Sequence, residues 1–431
     1  EELNFLASAV AGDAGTVTYA DLEKAENVVL VNFEPEEESP IIFLRLRKAA
    51  AKGKIKVLAI APYLSRGLEK IDAEVIATKP GDEAKVLRGL KIAKNSIILV
   101  GERAAATLGT LSAVIEVAEK TESKLAWIPR RAGERGAIEV GVLPNLLPGG
   151  RPVIDSGARS EVGAIWGVNG SDIPSKPGRT HSEIVQAALN GEIKALIIAG
   201  LDVLDAPDPQ ALSEAINSVD FVVTLGIQEN SLTRYANVSL PVAPVTEKSG
   251  TFINWEGRPR PFGRAITSTN ALTDARVLAM IAESLGHDFG LQTIEEIRQE
   301  LSSFGTWIGT KVDKPKVDAI GARNTSGSNV ILSTWNLLLD DGALQKGEEH
   351  LAGTQRPVVA HLSEKTAQAQ QLENGEKINI SNDRGSITVK LEIIEMVNDV
   401  VWIPANNHDS KVKSKLGAKE GDVVTIKKGG F

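Results

Sequence analysis

The chain has no cysteine in its 431 residues. Disulfides, thiolate-ligated iron–sulphur clusters, cysteine-based zinc sites and cysteine nucleophiles are therefore excluded within these residues. Histidine is scarce as well, and His181, His287, His350, His361 and His408 show no His-x-x-x-His or His-Glu-x-x-His spacing. They are expected as scattered surface or capping residues, with no metal site among them. Long apolar runs are also missing: Ile97–Val100 and Ala195–Ala199 are strand-length and far too short to span a bilayer. Positive charge is not in excess. A formal net charge of -8 gives no electrostatic reason to expect nucleic acid or direct membrane insertion. The chain begins Glu1-Glu2 with no initiating methionine, basic region or signal-like segment, which predicts a piece of a longer gene product.

What remains is an ordinary globular composition, 42% apolar and 24% charged, long enough for two or three domains. From Glu26 onward, short β-branched runs alternate with helical periodicity, the pattern of βαβ units on a largely parallel sheet. Asn27–Val31, Ile55–Ile60, Glu74–Ala77, Ser96–Val100 and Lys124–Ile128 are predicted strands. Helices are expected from Pro40 to about Ala51, from the Pro80-Gly81-Asp82-Glu83 turn, and over Arg103–Lys120. The rhythm then repeats: Ser182 is expected to cap a helix over Glu183–Asn190, followed by a strand at Ala195–Ala199, a helix at Pro209–Asn217 and a strand at Phe221–Leu225. Asp274 is expected to cap a further helix through Leu285. Residues 1–150 and 151–302 are thus predicted as two α/β modules. Residues 303–355, rich in Gly, Asn, Ser, Lys and Asp, are expected to be a connector, and the short strands of 356–431 a small β-barrel.

Few residues suggest chemistry. Gly101-Glu102-Arg103-Ala104 follows a strand and opens a helix, so its amides are a weak phosphate candidate, with an ordinary βα turn the better reading. The acidic run Asn32-Phe33-Glu34-Pro35-Glu36-Glu37-Glu38 also follows a strand, where α/β proteins bind ligands. Its carboxylates would repel a diphosphate, and a solvated helix entry is favoured over a divalent-cation site. Gly149-Gly150-Arg151-Pro152 is too short for a phosphate cradle. Lys411, Lys413 and Lys415 alternate as a solvated strand edge would. Arg258, Arg260 and Arg264 are expected either to bind an anion or to make salt bridges to neighbouring elements. Nothing forms a nucleophile–base pair, so no catalytic, cofactor-binding or metal residue is assigned.

The segment Asn237–Arg264 is the most informative. Leu240-Pro241-Val242 cannot continue as a central strand, and Ser249-Gly250-Thr251 is expected to turn the chain before Phe252. The string Ser239-Leu240-Pro241, Glu247, Gly250-Thr251, Asn254 and Glu256-Gly257-Arg258 resembles an element of the molybdopterin oxidoreductase superfamily. Gly250–Arg258, with Trp335–Asp340 and Leu351-Ala352-Gly353, resembles more closely the large iron–sulphur (G) subunits of NADH-quinone oxidoreductase, respiratory complex I. The resemblance runs from about Asp21 to Lys428.

That resemblance implies nested Rossmann-like parallel-sheet domains of the formate dehydrogenase/DMSO reductase type and a C-terminal double-psi β-barrel. In catalytic members, G-x-N-P loops after two strands hold the pyranopterin dinucleotide. The corresponding loops here are Asn32-Phe33-Glu34-Pro35 and Gly200-Leu201-Asp202-Val203, which place acids where Asn would stand. The implied reading is a body that has lost molybdopterin and carries no catalytic residues, with iron–sulphur clusters in a region ahead of it. Its role would be structural, beside other peripheral-arm subunits on the cytoplasmic side of the membrane. Glu247, Asn254 and Arg258 would then be packing and hydrogen-bonding residues. The alternatives are an active molybdopterin oxidoreductase of the formate dehydrogenase type with a non-cysteine metal ligand and, more remotely, a dinucleotide-binding enzyme using the Gly101 turn.

Overall fold

A computed structural model describes residues 1–13 and 15–430. These divide into two compact units: one made of residues 1–5, 15–131 and 314–430, the other of 6–13 and 132–313.

The first unit is built on five parallel strands, β1 (Asn27–Val31), β2 (Lys56–Ala61), β3 (Ala73–Ala77), β4 (Ile97–Gly101) and β5 (Lys124–Ile128), in the order β3-β2-β1-β4-β5. Val28 to Val31 and Ile97 to Gly101 are all buried, as expected for central strands covered on both faces. The chain winds from β1 outward through β2 and β3, then returns to β4 and winds the other way to β5. Strand order therefore reverses between β1 and β4, the position at which doubly wound sheets open a crevice at their carboxyl ends. Helix Pro40–Ala50 starts on its proline, buries Ile42, Phe43, Leu46 and Ala49 on one stripe, and ends with Arg47 and Lys48 in its last turn. The helix expected over 103–120 is interrupted. Glu102–Ala106 is a 3-10 turn, Gly109 takes a left-handed φ of 87°, and only Thr110–Thr121 is α-helical.

The barrel belongs to the same unit and is closed by six strands. β13 (Asn329–Trp335), β14 (Val359–Leu362), β15 (Lys377–Ser381), β16 (Ser386–Ile393), β17 (Val400–Pro404) and β18 (Val423–Lys428) close in the order β13-β17-β14-β16-β15-β18. Its interior is filled by Leu332, Leu362, Ile378, Ile380, Leu391, Val401, Ile403 and Ile426, all fully buried. Here the structure corrects the sequence reading of 303–355 as connector. Asn-Val-Ile-Leu-Ser-Thr-Trp is a barrel strand, buried from Val330 to Trp335 and paired parallel to β17. Its polar, glycine-rich flanks disguised a run that burial on both sides makes a strand.

In the second unit, a short antiparallel pair, β6 (Leu146–Leu147) and β7 (Arg151–Pro152), precedes a three-stranded parallel sheet. β8 (Ala195–Ala199), β9 (Phe221–Gly226) and β10 (Val238–Pro241) lie in the order β10-β9-β8. Leu196, Ile198 and Val222 join one core with the helices His181–Leu189 and Pro209–Ser218. Val223, Leu225 and Leu240 join another with Val277 and Ile281 of helix Asp274–Ser284. That second face is only partly covered, for Ile197 is 59% and Phe221 45% exposed.

Two helix starts differ from expectation by a residue or two. Thr180, not Ser182, caps His181–Leu189, in a reciprocal capping box with Glu183. Thr273, not Asp274, caps the later helix. Thr180→Ala is accordingly expected to cost about 1 kcal/mol of the second unit's stability, with Ser182→Ala close to neutral, by urea denaturation. Equal effects of the two substitutions would contradict the assignment.

The Asn237–Arg264 segment also turns elsewhere than expected. Pro241 ends the edge strand β10, consistent with its missing donor. β11 (Gly250–Ile253) pairs antiparallel with β12 (Pro259–Phe262), so the reversal lies at Asn254–Gly257 rather than Ser249–Thr251. Gly257 takes a φ of 76° and its N–H donates to the Asn254 carbonyl at 2.8 Å, while the Asn254 side chain accepts from the Arg258 N–H at 3.0 Å. Glycine and asparagine at these positions make the tight reversal possible.

Candidate functional site: a buried acidic cluster at the switch point

The carboxyl ends of β1 and β4 lie side by side, since Val31 is in register with Val100. Approach is close enough that a Cβ on Gly101 would stand 2.4 Å from the Asn32 carbonyl oxygen, so only glycine fits there. From this point the β1 turn runs into the short helix Pro35–Glu38. Glu34, Glu37 and Glu38 are buried, not solvated as the sequence suggested. Burial of three acids from one run requires compensation.

Part of it comes from arginine. Arg103, on the turn after β4, grips Glu38 with two bonds of 2.9 and 3.2 Å, and Arg356 meets Glu37 at 2.6 Å. Burial alone would lower the Arg103 pKa, but the charges of Glu38 and Glu420 outweigh it and the net shift is upward. The rest is hydrogen bonding. Glu83, from the turn after β3, accepts from the Asn32 amide at 3.0 Å and from the Gly81 N–H at 2.6 Å. Glu420, before β18, accepts from the Ser333 hydroxyl at 3.0 Å and from the Thr334 N–H. Glu34 accepts from the Ser65 hydroxyl.

These arrangements do not fully offset burial. Burial pushes Glu34 up to about 7 against the opposing Ser65 hydrogen bond, with Glu38 and Glu37 adding to the rise. Burial likewise pushes Glu420 up to about 7 despite the nearby Arg103 charge, and raises Glu83. An aromatic cluster closes the crevice: Tyr63 stacks on Trp335 at 5.4 Å, Trp335 meets Trp402 at 4.8 Å, and the Arg103 guanidinium lies 5.0 Å above the Trp335 ring. Burial raises the Tyr63 pKa well above its usual value. His361 corrects the expectation of a surface residue, since it stacks on Trp402 at 4.7 Å with its Nε2 3.3 Å from Glu392. Its pKa is lowered by burial, against the pull of Glu392.

Asn32, Glu34, Tyr63, Glu83, Arg103, Trp335 and Glu420 together line a cavity of about 20 Å³. That is room for a single water, far below the several hundred Å³ of a typical cofactor site. The Asn32 Oδ1 and Glu34 Oε1 atoms are buried and have no hydrogen-bond partner.

The other candidates fall elsewhere. Arg258 and Arg260 lie 3.9 and 3.6 Å from the buried Glu256 of their own hairpin, and Arg264 donates to the carbonyls of Ile266 and Thr269. These arginines brace the loop that carries them, rather than neighbouring elements. Asn254 donates to Glu256 at 2.8 Å, and the Glu247 N–H caps the Pro244 carbonyl at 2.9 Å. Asp202 caps its own turn at the Leu204 N–H. In the Gly149–Pro152 loop, Arg151 donates to the carbonyls of Pro148 and Phe304. Lys411, Lys413 and Lys415 lie on and beside a single helical turn, Val412–Leu416, not a strand edge. Among the described residues no group of three or more His, Asp or Glu side chains is arranged to hold a metal ion. Sequence reasoning missed Tyr63, and gave no site role to Glu83, Glu420 or Trp335: Glu83 and Glu420 stood only as parts of turn signals around Gly81 and Gly421, and Trp335 only in the string Trp335–Asp340 that carries the family resemblance.

The fold and this crevice can be set beside known proteins. Over 99% of its length the chain is similar to the G subunit of NADH-quinone oxidoreductase from Mycobacterium bovis, at 42% identity, and to that from Streptomyces coelicolor, at 41%. It spans about half the length of these relatives, 54% of each. Acetylene hydratase from Pelobacter acetylenicus shares the fold, with a TM-score of 0.59 over 99% of this chain and 81% of that one, at 13% identity. The molydopterin dinucleotide binding domain matches residues 342–422, across most of the barrel. Residues 4–284 match the molybdopterin oxidoreductase model, and this chain belongs to that family.

Proposed function

We propose that this chain is the cofactor-free body of a large (G-type) subunit of NADH-quinone oxidoreductase, with a structural and assembly role in the arm that carries electrons from NADH to quinone. The observation that carries the reading is the filled crevice. Its space accepts one water, and Glu34, Glu83 and Glu420 face it. A pyranopterin dinucleotide far exceeds that space, and beside its diphosphate these buried acids either repel it as carboxylates or must each take up a proton. The residues therefore do not fit that group here. With no cysteine in the chain, iron–sulphur clusters would be carried by parts of the longer protein outside these residues.

Partners would be the other peripheral-arm subunits, on the cytoplasmic side of the membrane. Among the described residues no helix is long and apolar enough to cross a membrane. The partly open face of the β8–β10 sheet, with Ile197 and Phe221 exposed, supports docking against another protein surface, since parallel sheets are ordinarily covered on both faces.

Metal analysis of the purified chain is the test. Only trace molybdenum and tungsten are expected, together with co-purification of peripheral-arm subunits when the longer protein is expressed with its complex. One molybdenum or tungsten per chain would overturn the reading in favour of an active oxidoreductase.

A further inference from the structure

The unpaired atoms in the crevice point beyond a packing role. Asn32 Oδ1 and Glu34 Oε1 are both buried, both belong to residues that line the same small cavity, and both lack a hydrogen-bond donor. As amide oxygen and ionised carboxylate they are acceptors only, so one wall of the cavity is short of a proton donor. Turning the Asn32 amide over does not cure the shortage. Its Nδ2 would leave Glu83, to which it now donates at 3.0 Å, and an oxygen would face that carboxylate instead.

Charge leads to the same shortage. Glu38 is matched by Arg103 and Glu37 by Arg356. Glu34 has no cation of its own, because Arg103 is already bound to Glu38 and is shared with Glu420. The other cations around this acidic run are engaged as well, Lys70 by Glu36 and Arg356 by Glu37, and the remaining neighbours of Glu34 are negative or neutral. Glu37 and Glu38 come from its own helix, Tyr63 and Ser65 from beyond β2, Glu83 from beyond β3 and Glu420 from the barrel.

We propose that Glu34 is a resident proton-binding site, holding a proton on Oε1 at neutral pH and donating it towards Asn32 Oδ1, directly or through one water in the cavity. A single proton then satisfies both orphaned acceptors and removes the unmatched buried charge. The ligand is the proton itself. The upward displacement of Glu34 to about 7, caused first by burial, is the direction this requires.

Infrared difference spectroscopy of the intact chain between about pH 6 and about pH 9 tests it, because a carboxylic acid and a carboxylate absorb separately and Glu34 changes between them in that range. In the wild type a carboxylic acid C=O band is expected near neutral pH and lost as pH rises. Glu34→Gln should remove one component of that band, and Glu420→Gln should leave that component in place. Ser65→Ala, which withdraws a donor that favours the ionised form, should shift the loss of the Glu34 component to higher pH and keeps the test open if Glu34→Gln does not fold. An acid band unchanged by Glu34→Gln, or a midpoint unmoved by Ser65→Ala, overturns the proposal. A water supplying both hydrogens to an ionised Glu34 would give the first of those results.

Discussion

Replacing Arg103 with methionine is expected to lower the free energy of unfolding by about 3–5 kcal/mol at alkaline pH, the usual cost of removing one partner from a buried ion pair. The loss should be smaller in acid. Arg103 binds Glu38 through two hydrogen bonds and is the nearby cation for Glu420 and Glu34. Methionine keeps much of the packing volume and removes the charge. In acid the stranded carboxylates can take up protons instead, which limits the penalty.

The background slope has a definite sign. Glu34 and Glu420 titrate near 7 in the folded chain, against 4.5 for an unperturbed glutamate. Between those limits the folded state holds protons that the unfolded chain has released, so both groups make stability fall as pH rises, with no further loss above the folded pKa. Arg103→Met should steepen that fall and extend it upward in pH. Urea denaturation of wild type and variant at about pH 5.5 and about pH 8.5 measures it. An equal loss at both values would mean that Arg103 acts by packing alone.

Trp335→Ala is expected to cost about 3–5 kcal/mol, in the range of large aromatic truncations. Trp335 ends β13, is 4% exposed, and packs at once on Tyr63 beyond β2, on Trp402 of β17 and under Arg103. Its loss opens a cavity in the seam between first sheet and barrel. Trp335→Phe should recover a large part of the stability, since a ring still fills the site. The decisive observation is cooperativity. Sheet and barrel form one compact unit, so in a background with Trp127, Trp166, Trp255 and Trp307 replaced by phenylalanine, backbone circular dichroism and the remaining tryptophan fluorescence should report coincident unfolding of that unit with Trp335 present and separate in the alanine variant. A small, local effect with no change in coincidence would show that the seam contributes little.

The alternation of strands and helices was legible because it rests on local pattern. β1 and β4 are short apolar runs bounded by turn residues, and helix Pro40–Ala50 carries its start signal and its buried stripe in order along the chain. Local pattern failed where two signals competed. β13 is a strong apolar strand set in a polar, glycine-rich stretch, and only its pairing with β17 and β18 makes it part of the barrel. The acidic run after β1 failed for another reason. Charged residues at a helix entry are ordinarily solvated, and nothing near Glu34 in sequence announces Arg103 or Glu420.

The α/β class, the C-terminal barrel and the exclusion of thiolate chemistry thus follow from the order of residues alone, because composition and side-chain period are local properties. The meeting of Glu34, Glu83, Arg103 and Glu420 around one cavity is a product of the folded chain. Reversal of strand order puts the β1 and β4 turns side by side, and barrel closure brings Glu420 over them from hundreds of residues away. Burial there changes what a carboxylate is: an exposed Glu34 would be an ordinary anion, and the same side chain in a water-sized cavity beside an unsatisfied amide oxygen becomes a holder of protons.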